Sequence, residues 1–451
     1  MQIVVFEDER VADLAPITLA RPAFAISCGS RRLVDLLAEL GPPVHAVVRT
    51  HLKALVTADF PELATVSDNL AAARPGPTLW VNARLVPSRA AAQQLAQLIA
   101  AGRPGAILAA TSGNHVAGSG AEGEVSLETG ETLAAAFVAP GANPAAVLST
   151  GQGSFSEGGG APRGEGPARS TLDLRTDSAL PLFQDPHDVI REHLTTLSDH
   201  LSARIASGRY REVGDGLFVA ENVRLGQYLV SDASAGPIVL DEGVSVGPFT
   251  LLSGPCYLGP KCRVIEHAAI KHGSSLGHTT KIGGEVEASI IEAYSNKQHH
   301  GFLGHSYLGS WINLGAGTSN SDLKNTYGQV NMEYGGRRVA TGMQFVGAIV
   351  GDYAKTAINT SIFTGKVIGV GSMVYGFVTT NVPSFVNYAR LFGQVSEAPV
   401  EVLVSTQRRM FARRGVEQRP CDIQLLRDIY ALTAAERAAM EPRLAIEPLS
   451  L

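Results

Sequence analysis

Three histidines in one short segment are the first residues of this 451-residue chain that could perform chemistry. His299, His300 and His305 lie in the sequence YSNKQHHGFLGHS. A neutral imidazole can take a proton from an amine or a hydroxyl group while that group attacks a thioester. The same three side chains could also form an adventitious metal cluster, or they could simply be exposed histidines of a loop.

Basic residues provide two further candidate sites, both for phosphate groups. The first is Lys324 with Arg337 and Arg338, in the segment SNSDLKNTYGQVNMEYGGRRVATG. The second comprises Arg408, Arg409, Arg413 and Arg414 near the C-terminus. A guanidinium group can bind a phosphate through two parallel hydrogen bonds. The alternative is that the first group belongs to a solvated charged loop and the second to a solvated helix face.

The histidine segment and the first basic segment interrupt a six-residue repeat that organises the chain from Leu240 to Val286. Large aliphatic residues occupy one position: Leu240, Val246, Leu252, Leu258, Val264, Ile270, Leu276 and Ile282. Small or apolar residues follow each of them by four: Val244, Thr250, Cys256, Cys262, Ala268, Ser274, Thr280 and Val286. A helix or a single strand would show a shorter period, so the pattern predicts a parallel β-helix of roughly six coils. We expect the chemistry on the two interrupting segments, because irregular loops on a rigid scaffold often carry function.

The first 150 residues show a different pattern, in which apolar runs alternate with helical segments. The predicted strands are residues 3–6, 44–48, 78–82 and 106–110. RLVDLLAEL and RAAAQQLAQLIAAG lie between them and have an apolar stripe at helical spacing. This alternation predicts a doubly wound α/β sheet, which binds ligands at the carboxyl ends of its strands.

The composition limits the class of protein. The chain has a net charge of −5 and a pI near 6.2, which argues against nucleic acid or an anionic membrane as the main partner. The N-terminal sequence is too acidic for a signal peptide and no run of 18 apolar residues occurs, so we expect a cytoplasmic protein. Cys256 and Cys262 fall on inward positions of the repeat, so we expect core thiols rather than a zinc site or disulfides.

The N-terminal region resembles the sugar-1-phosphate nucleotidyltransferases, in particular a GlmU-like group whose first loop reads PLT-x-x-RP. Pro16, Ile17, Thr18, Arg21 and Pro22 match that loop. The resemblance implies that Thr18 and Arg21 bind substrate, with Arg21 on a triphosphate and with Mg²⁺ as the cation that accompanies an NTP. The alternative for Arg21 is an ion pair with a carboxylate of a loop.

The resemblance breaks at the metal position of that family. Active relatives carry an Asp after the third strand, in a sequence like LNGD, whereas this chain has Asn82-Ala83-Arg84. Amide and guanidinium groups are poor replacements for a carboxylate on a hard cation. Either Asp8 or Asp13 holds the metal, or the domain binds a sugar nucleotide without converting it; the second interpretation is preferred.

The segment HHGFLGHSYLGSWINLGAGT is similar to the GHLTYLG…NIGAGT segment of the acetyltransferase half of bifunctional N-acetylglucosamine-1-phosphate uridyltransferases. The resemblance implies that His299, rather than His300, is the catalytic base. It also implies the substrate-binding set Lys271, Lys297, Asn313 and Ala316, with the lysines on phosphates and Ala316 contributing a backbone contact. Asn313 could equally belong to an asparagine ladder inside the coil. Phe302 replaces a tyrosine of the family, and one family lysine has no match near Ser289 and Ile290, so the substrate stays open.

We therefore predict an α/β plus all-β protein. Its parts are a Rossmann-like nucleotidyltransferase domain at 1–150, a Gly-rich insertion and linker helix at 151–210, a left-handed parallel β-helix of acyltransferase type at 211–390, and C-terminal helices at 391–451. The expected activity is acyl transfer from acetyl-CoA or another acyl-CoA to an amino sugar or a sugar nucleotide, and the expected ligand is a sugar phosphate or sugar nucleotide. The resemblance implies a homotrimer, and no nucleic acid or membrane partner is expected. The alternative function is a non-catalytic sugar-nucleotide sensor or scaffold.

Overall fold

The structure is a computed structural model that describes residues 1–69, 76–103, 105–110, 132–138 and 179–440. It contains two compact units. Unit 1 comprises Met1–Val11, Pro22–Ala25 and Arg32–Phe183, and unit 2 comprises Ala12–Arg21, Ile26–Arg31 and Gln184–Leu451. This division falls after Phe183 rather than after residue 150, and it groups the predicted linker helix with the β-helix. Residues 151–178 of the predicted insertion lie outside the described residues.

Unit 1 is built on a six-stranded sheet with the order β3-β2-β1-β4-β6-β5. The strands are β1 Gln2–Phe6, β2 Val44–Val47, β3 Thr65–Ser67, β4 Thr78–Asn82, β5 Gly105–Leu108 and β6 Leu133–Val138. Its helices are α1 Leu33–Glu39, α2 Lys53–Asp59 and α3 Arg89–Ala101. β6 is antiparallel to β4 and β5, and the other pairs are parallel. Every residue of the adjacent strands β1 and β4 is buried, as expected for a sheet covered on both faces. The predicted α/β sheet is confirmed.

Unit 2 contains a parallel β-helix with three faces. Face A consists of β8 Leu217–Val219, β11 Ile238–Leu240, β14 Cys256–Leu258, β17 Ser274–Leu276, β20 Ile290–Ile291, β23 Tyr307–Leu308, β27 Ala348–Val350 and β30 Lys366–Ile368, with β7 Arg211–Gly214 antiparallel to β8. Face B consists of β9 Arg224–Leu225, β12 Ser245–Val246, β15 Arg263–Val264, β18 Lys281–Ile282, β21 Asn296–Lys297, β28 Lys355–Thr356, β31 Met373–Val374 and β33 Val386–Ala389, with β34 Gln394–Glu397 antiparallel to β33. Face C consists of β10 Val230–Asp232, β13 Leu251–Ser253, β16 Ala269–Ile270, β19 Glu285–Glu287, β22 Phe302–Gly304, β24 Ser319–Asn320, β29 Ser361–Ile362 and β32 Phe377–Val378. The predicted left-handed β-helix is confirmed.

The interior of the β-helix is one continuous apolar core. The repeating aliphatic residues from Leu240 to Ile282 are buried and form one cluster with their companions Cys256 and Cys262. Both thiols are therefore core residues, as expected. A coil exposes one edge of its short strands until the next coil covers it, so the coils stabilise one another by stacking.

The expectation that the histidine segment interrupts the β-helix is wrong. β20, β21, β22 and β23 continue the three faces without interruption. Val264 pairs with Ile282, eighteen residues later, whereas Ile282 pairs with Lys297, only fifteen residues later. This coil is shortened at its corners, so the six-residue period is lost although the stack is intact. With this coil included, face A has eight parallel strands in the described residues instead of roughly six.

The second interrupting segment does leave the β-helix. It forms a hairpin of β25 Asn331–Tyr334 and β26 Arg337–Ala340. The turn residues Gly335 and Gly336 have φ angles of 55° and 79°, which glycine adopts without a steric penalty.

Helices flank the β-helix within unit 2. They are α4 Pro186–Ala206, α5 Val400–Arg413, α6 Pro420–Leu432 and α7 Ala434–Ala438. Short 3₁₀-helices cover Glu9–Leu14, Ala23–Ala25, Thr50–Leu52 and Arg390–Phe392. The Asp188 carboxylate accepts the backbone N–H of Asp185 at 3.0 Å, which caps the start of α4. Phe411 of α5 lies 4.3 Å from Trp311 between ring centroids, so α5 contacts the flank of the coils. Among the described residues, no helix has the length and apolar character needed to cross a membrane.

Candidate functional site

His299 and His300 lie at the corner that joins β21 to β22, and both side chains are exposed. Nε2 of His299 is 3.2 Å from the amide nitrogen of Gln298. His305 is separate from this pair, since its Nδ1 lies 2.9 Å from Asp322 Oδ2 and its ring stacks on Phe345. The described part of the chain contains no group of three metal-ligating side chains, so the three histidines do not form a metal cluster there.

Lys297 lies inside the coil, because the shortened coil places it at the inward position that Ile282 occupies one turn earlier. Its side chain is 2% exposed, and Nζ donates to the carbonyl oxygens of Gly283 and His299, both at 2.9 Å. Burial lowers the pKa of Lys297 to about 8, although Glu285 acts in the opposite direction. The ammonium group therefore holds the His299 corner from within. Phosphate binding by Lys297 stays a prediction, and the interior position of the side chain does not favour it.

Asn313 is exposed on face B, so the asparagine ladder lies outside the coil rather than inside it. The Asn296 amide donates to Asn313 Oδ1 at 3.4 Å, and Asn296 Oδ1 accepts from Arg414 at 2.5 Å. The carbonyl oxygen of Ala316 accepts the backbone N–H of Asn359 at 2.7 Å, so it belongs to the ladder between coils.

Lys271 belongs to another surface. It follows β16 on face C, and its Nζ lies 2.5 Å from Glu285 Oε1 and 3.5 Å from Glu287 Oε2. The hydrogen bond that Lys271 donates to Glu285 is the main reason that the pKa of Lys271 is raised. The structure therefore does not bring Lys271, Lys297 and Asn313 together on one surface.

Arg21 is bound by carboxylates within unit 2. Its guanidinium group contacts Asp352 and lies 3.0 Å from Glu292 Oε1. Tyr307 also donates to Glu292, at 2.9 Å. Burial alone would lower the pKa of Arg21, but Asp352, Tyr307 and Glu292 raise it. Thr18 is fully buried. The carboxylate alternative for Arg21 is thus the observed arrangement, and triphosphate binding by Thr18 and Arg21 stays a prediction.

The carboxyl ends of β1 and β4 in unit 1 hold an ion pair between a buried arginine and a half-buried aspartate. Arg84 is fully buried, and its Nη2 and Nε lie 2.6 and 2.8 Å from the two carboxylate oxygens of Asp8. Asn82 donates to the same carboxylate at 2.8 Å, and Arg84 also donates to the Phe183 carbonyl at 2.7 Å. Mg²⁺ bound at Asp8 would face a buried guanidinium group, so these side chains do not fit the cation. The other candidate, Asp13, belongs to unit 2.

Two of these contacts escaped the sequence analysis. The Asp8–Arg84 pair could have been found, because both residues directly follow neighbouring parallel strands whose carboxyl ends meet at one edge of the sheet. The contact between Arg414 and Asn296 had no such signal, because it depends on where α5 packs against the coils.

Comparison with known proteins identifies related chains. The family model described as sugar nucleotidyl transferase matches residues 3–203. A bifunctional sugar-1-phosphate nucleotidylyltransferase/acetyltransferase of Sulfurisphaera tokodaii is 27% identical over 148 residues, which is 32% of this chain and 37% of that relative. The bifunctional protein GlmU of Azoarcus sp. is 32% identical over 109 residues, covering 24% of this chain and 22% of the relative.

Among solved structures, the UDP-N-acetylglucosamine acyltransferase of Francisella novicida is similar over 50% of this chain and 76% of its own, with 12% identity and a TM-score of 0.33. The two curated matches above span only 37% and 22% of the relatives' own lengths. Residues 3–203 thus match the sugar nucleotidyl transferase family, and the curated matches make the chain similar in sequence to GlmU proteins, with a left-handed parallel β-helix in unit 2.

Proposed function

We propose that unit 2 transfers an acyl group from acetyl-CoA, or another acyl-CoA, to an amino sugar or a sugar nucleotide. The observation that carries this proposal is the corner at His299. Its imidazole is exposed at the corner between β21 and β22, where Nε2 lies 3.2 Å from the side chain of Gln298. The corner is also fixed from inside by the ammonium group of Lys297. An accessible base on a rigid element is what proton transfer at neutral pH requires.

Acyl-CoA would supply a thioester carbonyl as the electrophile. The amine or hydroxyl group of the sugar loses its proton to His299 as its nitrogen or oxygen forms a bond to the carbonyl carbon. When the carbon–sulfur bond breaks, the imidazolium returns that proton to the leaving thiolate. His299 is thus regenerated, and general base catalysis of this kind typically contributes roughly 10²–10⁴-fold to the rate.

The test compares two neighbouring histidines. Purified wild type, His299→Ala and His300→Ala are incubated with acetyl-CoA and a panel of amino sugars and sugar nucleotides, and acetylated products are measured by mass spectrometry. His299→Ala should lower kcat by roughly 10²–10⁴-fold, whereas the matched His300→Ala should change it by less than about threefold. Equal activity of His299→Ala and wild type would refute the assignment of the base.

For unit 1 we propose that the carboxyl edge of the sheet binds a sugar nucleotide without nucleotidyl transfer. The support is the Asp8–Arg84 pair, because Arg84 occupies the oxygens of the carboxylate that a metal would need as a ligand. Formation of a nucleotide sugar from a sugar-1-phosphate, an NTP and Mg²⁺ would contradict this proposal. The same pair favours the second candidate function, a non-catalytic sugar-nucleotide sensor or scaffold, which predicts ligand binding with neither product.

A homotrimer is part of the proposal. Large apolar side chains are exposed on the β-helix, among them Tyr228, Phe249, Ile358 and Phe377, and contact between copies would bury them. Light scattering of the full chain tests the trimer, and a monomer would refute it. The cytoplasmic location expected from the sequence stays a prediction.

A further inference from the structure

Face B of the β-helix carries a row of outward-facing basic and amide side chains. The register between coils places Arg263, Lys281, Asn296, Asn313 and Lys355 next to one another in that order. Neighbouring strands lie about 4.8 Å apart, so these five residues form one continuous row, which we name the basic column. Val264 directly follows Arg263 and Ile282 directly follows Lys281 in the chain. Val264 and Ile282 point into the core.

The end of α5 adds two guanidinium groups to this surface. Arg414 donates to Asn296 Oδ1 at 2.5 Å, which fixes it over the middle of the column. Burial lowers the pKa of Lys281, and the positive charges of Arg414, Arg263 and Arg413 lower it further. Four cations are therefore close enough to repel one another.

These cations lack carboxylate partners. Among the described residues, no Asp or Glu oxygen lies within 4.0 Å of the charged groups of Arg263, Lys281, Lys355, Arg413 or Arg414. The chain has a net charge of −5, so carboxylates are not scarce. Lys271 on face C shows the contrast, because two glutamates hold its ammonium group. Repulsion among partly desolvated cations is unfavourable, and an anion with several charges would relieve it.

We propose that the basic column, together with Arg413 and Arg414, binds two or more phosphate groups of one ligand. Guanidinium groups bind phosphate through paired hydrogen bonds and lysine binds it as a compact charge. This inference rests on the proposed function, since two of its substrates carry such groups: the diphosphate of a sugar nucleotide and the phosphorylated part of coenzyme A. The column crosses the coil that carries His299, because Asn296 and Lys297 form the strand before that corner.

The test is calorimetric titration of the full chain with inorganic pyrophosphate, UDP and coenzyme A, at low salt and at 0.5 M NaCl. Lys281→Met and Arg263→Met should each weaken binding by roughly tenfold, and high salt should weaken it in the wild type. Arg427→Met is the matched control, because Arg427 is exposed on α6 and paired with Glu401. Tighter binding of UDP or of coenzyme A identifies the source of the phosphates. Wild-type affinity for all three ligands in the Lys281→Met/Arg263→Met double variant would overturn the proposal.

The binding assay separates this proposal from the proposed function. Pyrophosphate binding that depends on Lys281, in a protein that forms no acylated product, refutes acyl transfer and supports the phosphate site. Acyl transfer with wild-type binding in the double variant refutes the phosphate site and leaves the role of His299 intact. Arg263 is exposed on the outer surface, so Arg263→Met alone keeps the test valid if Lys281→Met fails to fold.

Discussion

Replacing Arg21 by Met should destabilise unit 2 by about 3–5 kcal/mol at neutral pH. The side chains of Arg21, Glu292 and Asp352 are only 11%, 7% and 3% exposed. Methionine fills a similar volume but leaves two nearly buried carboxylates without a cation. Replacing both partners of a buried ion pair by apolar residues often costs little stability. Removing only one partner costs far more, because the remaining charge is desolvated and uncompensated.

The sign of the pH dependence follows from the carboxyl groups. Burial raises the pKa of Asp352, and Arg21 opposes that effect. Without Arg21 the pKa of Asp352 rises further above its unfolded value of about 3.9. The folded variant then binds a proton more readily than the unfolded chain, so its stability increases as the pH falls through the raised pKa. The loss caused by Arg21→Met should therefore be largest near pH 7 and smaller at about pH 5.

The assay is hydrogen exchange of the full chain, read by mass spectrometry in β23 and β27, with denaturant unfolding as a second measurement. Arg427→Met is the control, because its pair with Glu401 is 49% and 63% exposed and should contribute less than about 1 kcal/mol. Wild-type stability of Arg21→Met at pH 7 would refute the reasoning. If that variant also lost NTP binding, the triphosphate role of Arg21 would be favoured instead.

Three further predictions concern buried groups. Asp8→Asn should destabilise unit 1 by about 3–5 kcal/mol, measured by exchange in β1 and β4, because it leaves Arg84 buried without a carboxylate. Lys297 has a pKa of about 8 in the folded state, below its unfolded value near 10.4, so the unfolded chain binds more protons between these two values. The free energy of unfolding of the wild type, measured in urea, should therefore rise as the pH increases from about 8 to 10, and Lys297→Met should lack that rise. Burial raises the pKa of three thiols to about 12. A thiol reagent should therefore label only Cys421 in the native protein and four cysteines after unfolding.

The sequence predicted the fold well where one period persists. From Leu240 to Ile282 each coil has the same length, so the interior residues recur in the sequence as they do in space. The prediction failed in the next coil, which is shorter by three residues between Ile282 and Lys297. A shortened coil keeps its backbone pairing but changes the spacing of its inward positions. The sequence therefore predicted that Lys297 lies in an irregular loop, whereas the structure places it in the interior of the coil.

The candidate site could be predicted less completely than the fold, because its charges are paired across large sequence distances. Arg21 and Asp352 are separated by more than three hundred residues, and no local pattern connects them. His299 could be singled out because its neighbours in the chain carry the resemblance, and the structure places it on an exposed corner. The sequence thus identified accessible groups better than it identified their partners.

The distribution of paired and unpaired charges distinguishes the two units. At the carboxyl edge of unit 1, Asp8 and Glu7 are each held by an arginine, so both carboxylates are already neutralised within the unit. On face B of unit 2, Lys281 and Arg263 have no such partner in the described residues. A folded chain keeps like charges together at a cost, and a ligand of opposite charge removes that cost when it binds. Face B is therefore a surface whose electrostatics favour a phosphate-bearing ligand, and it lies on the unit that carries His299.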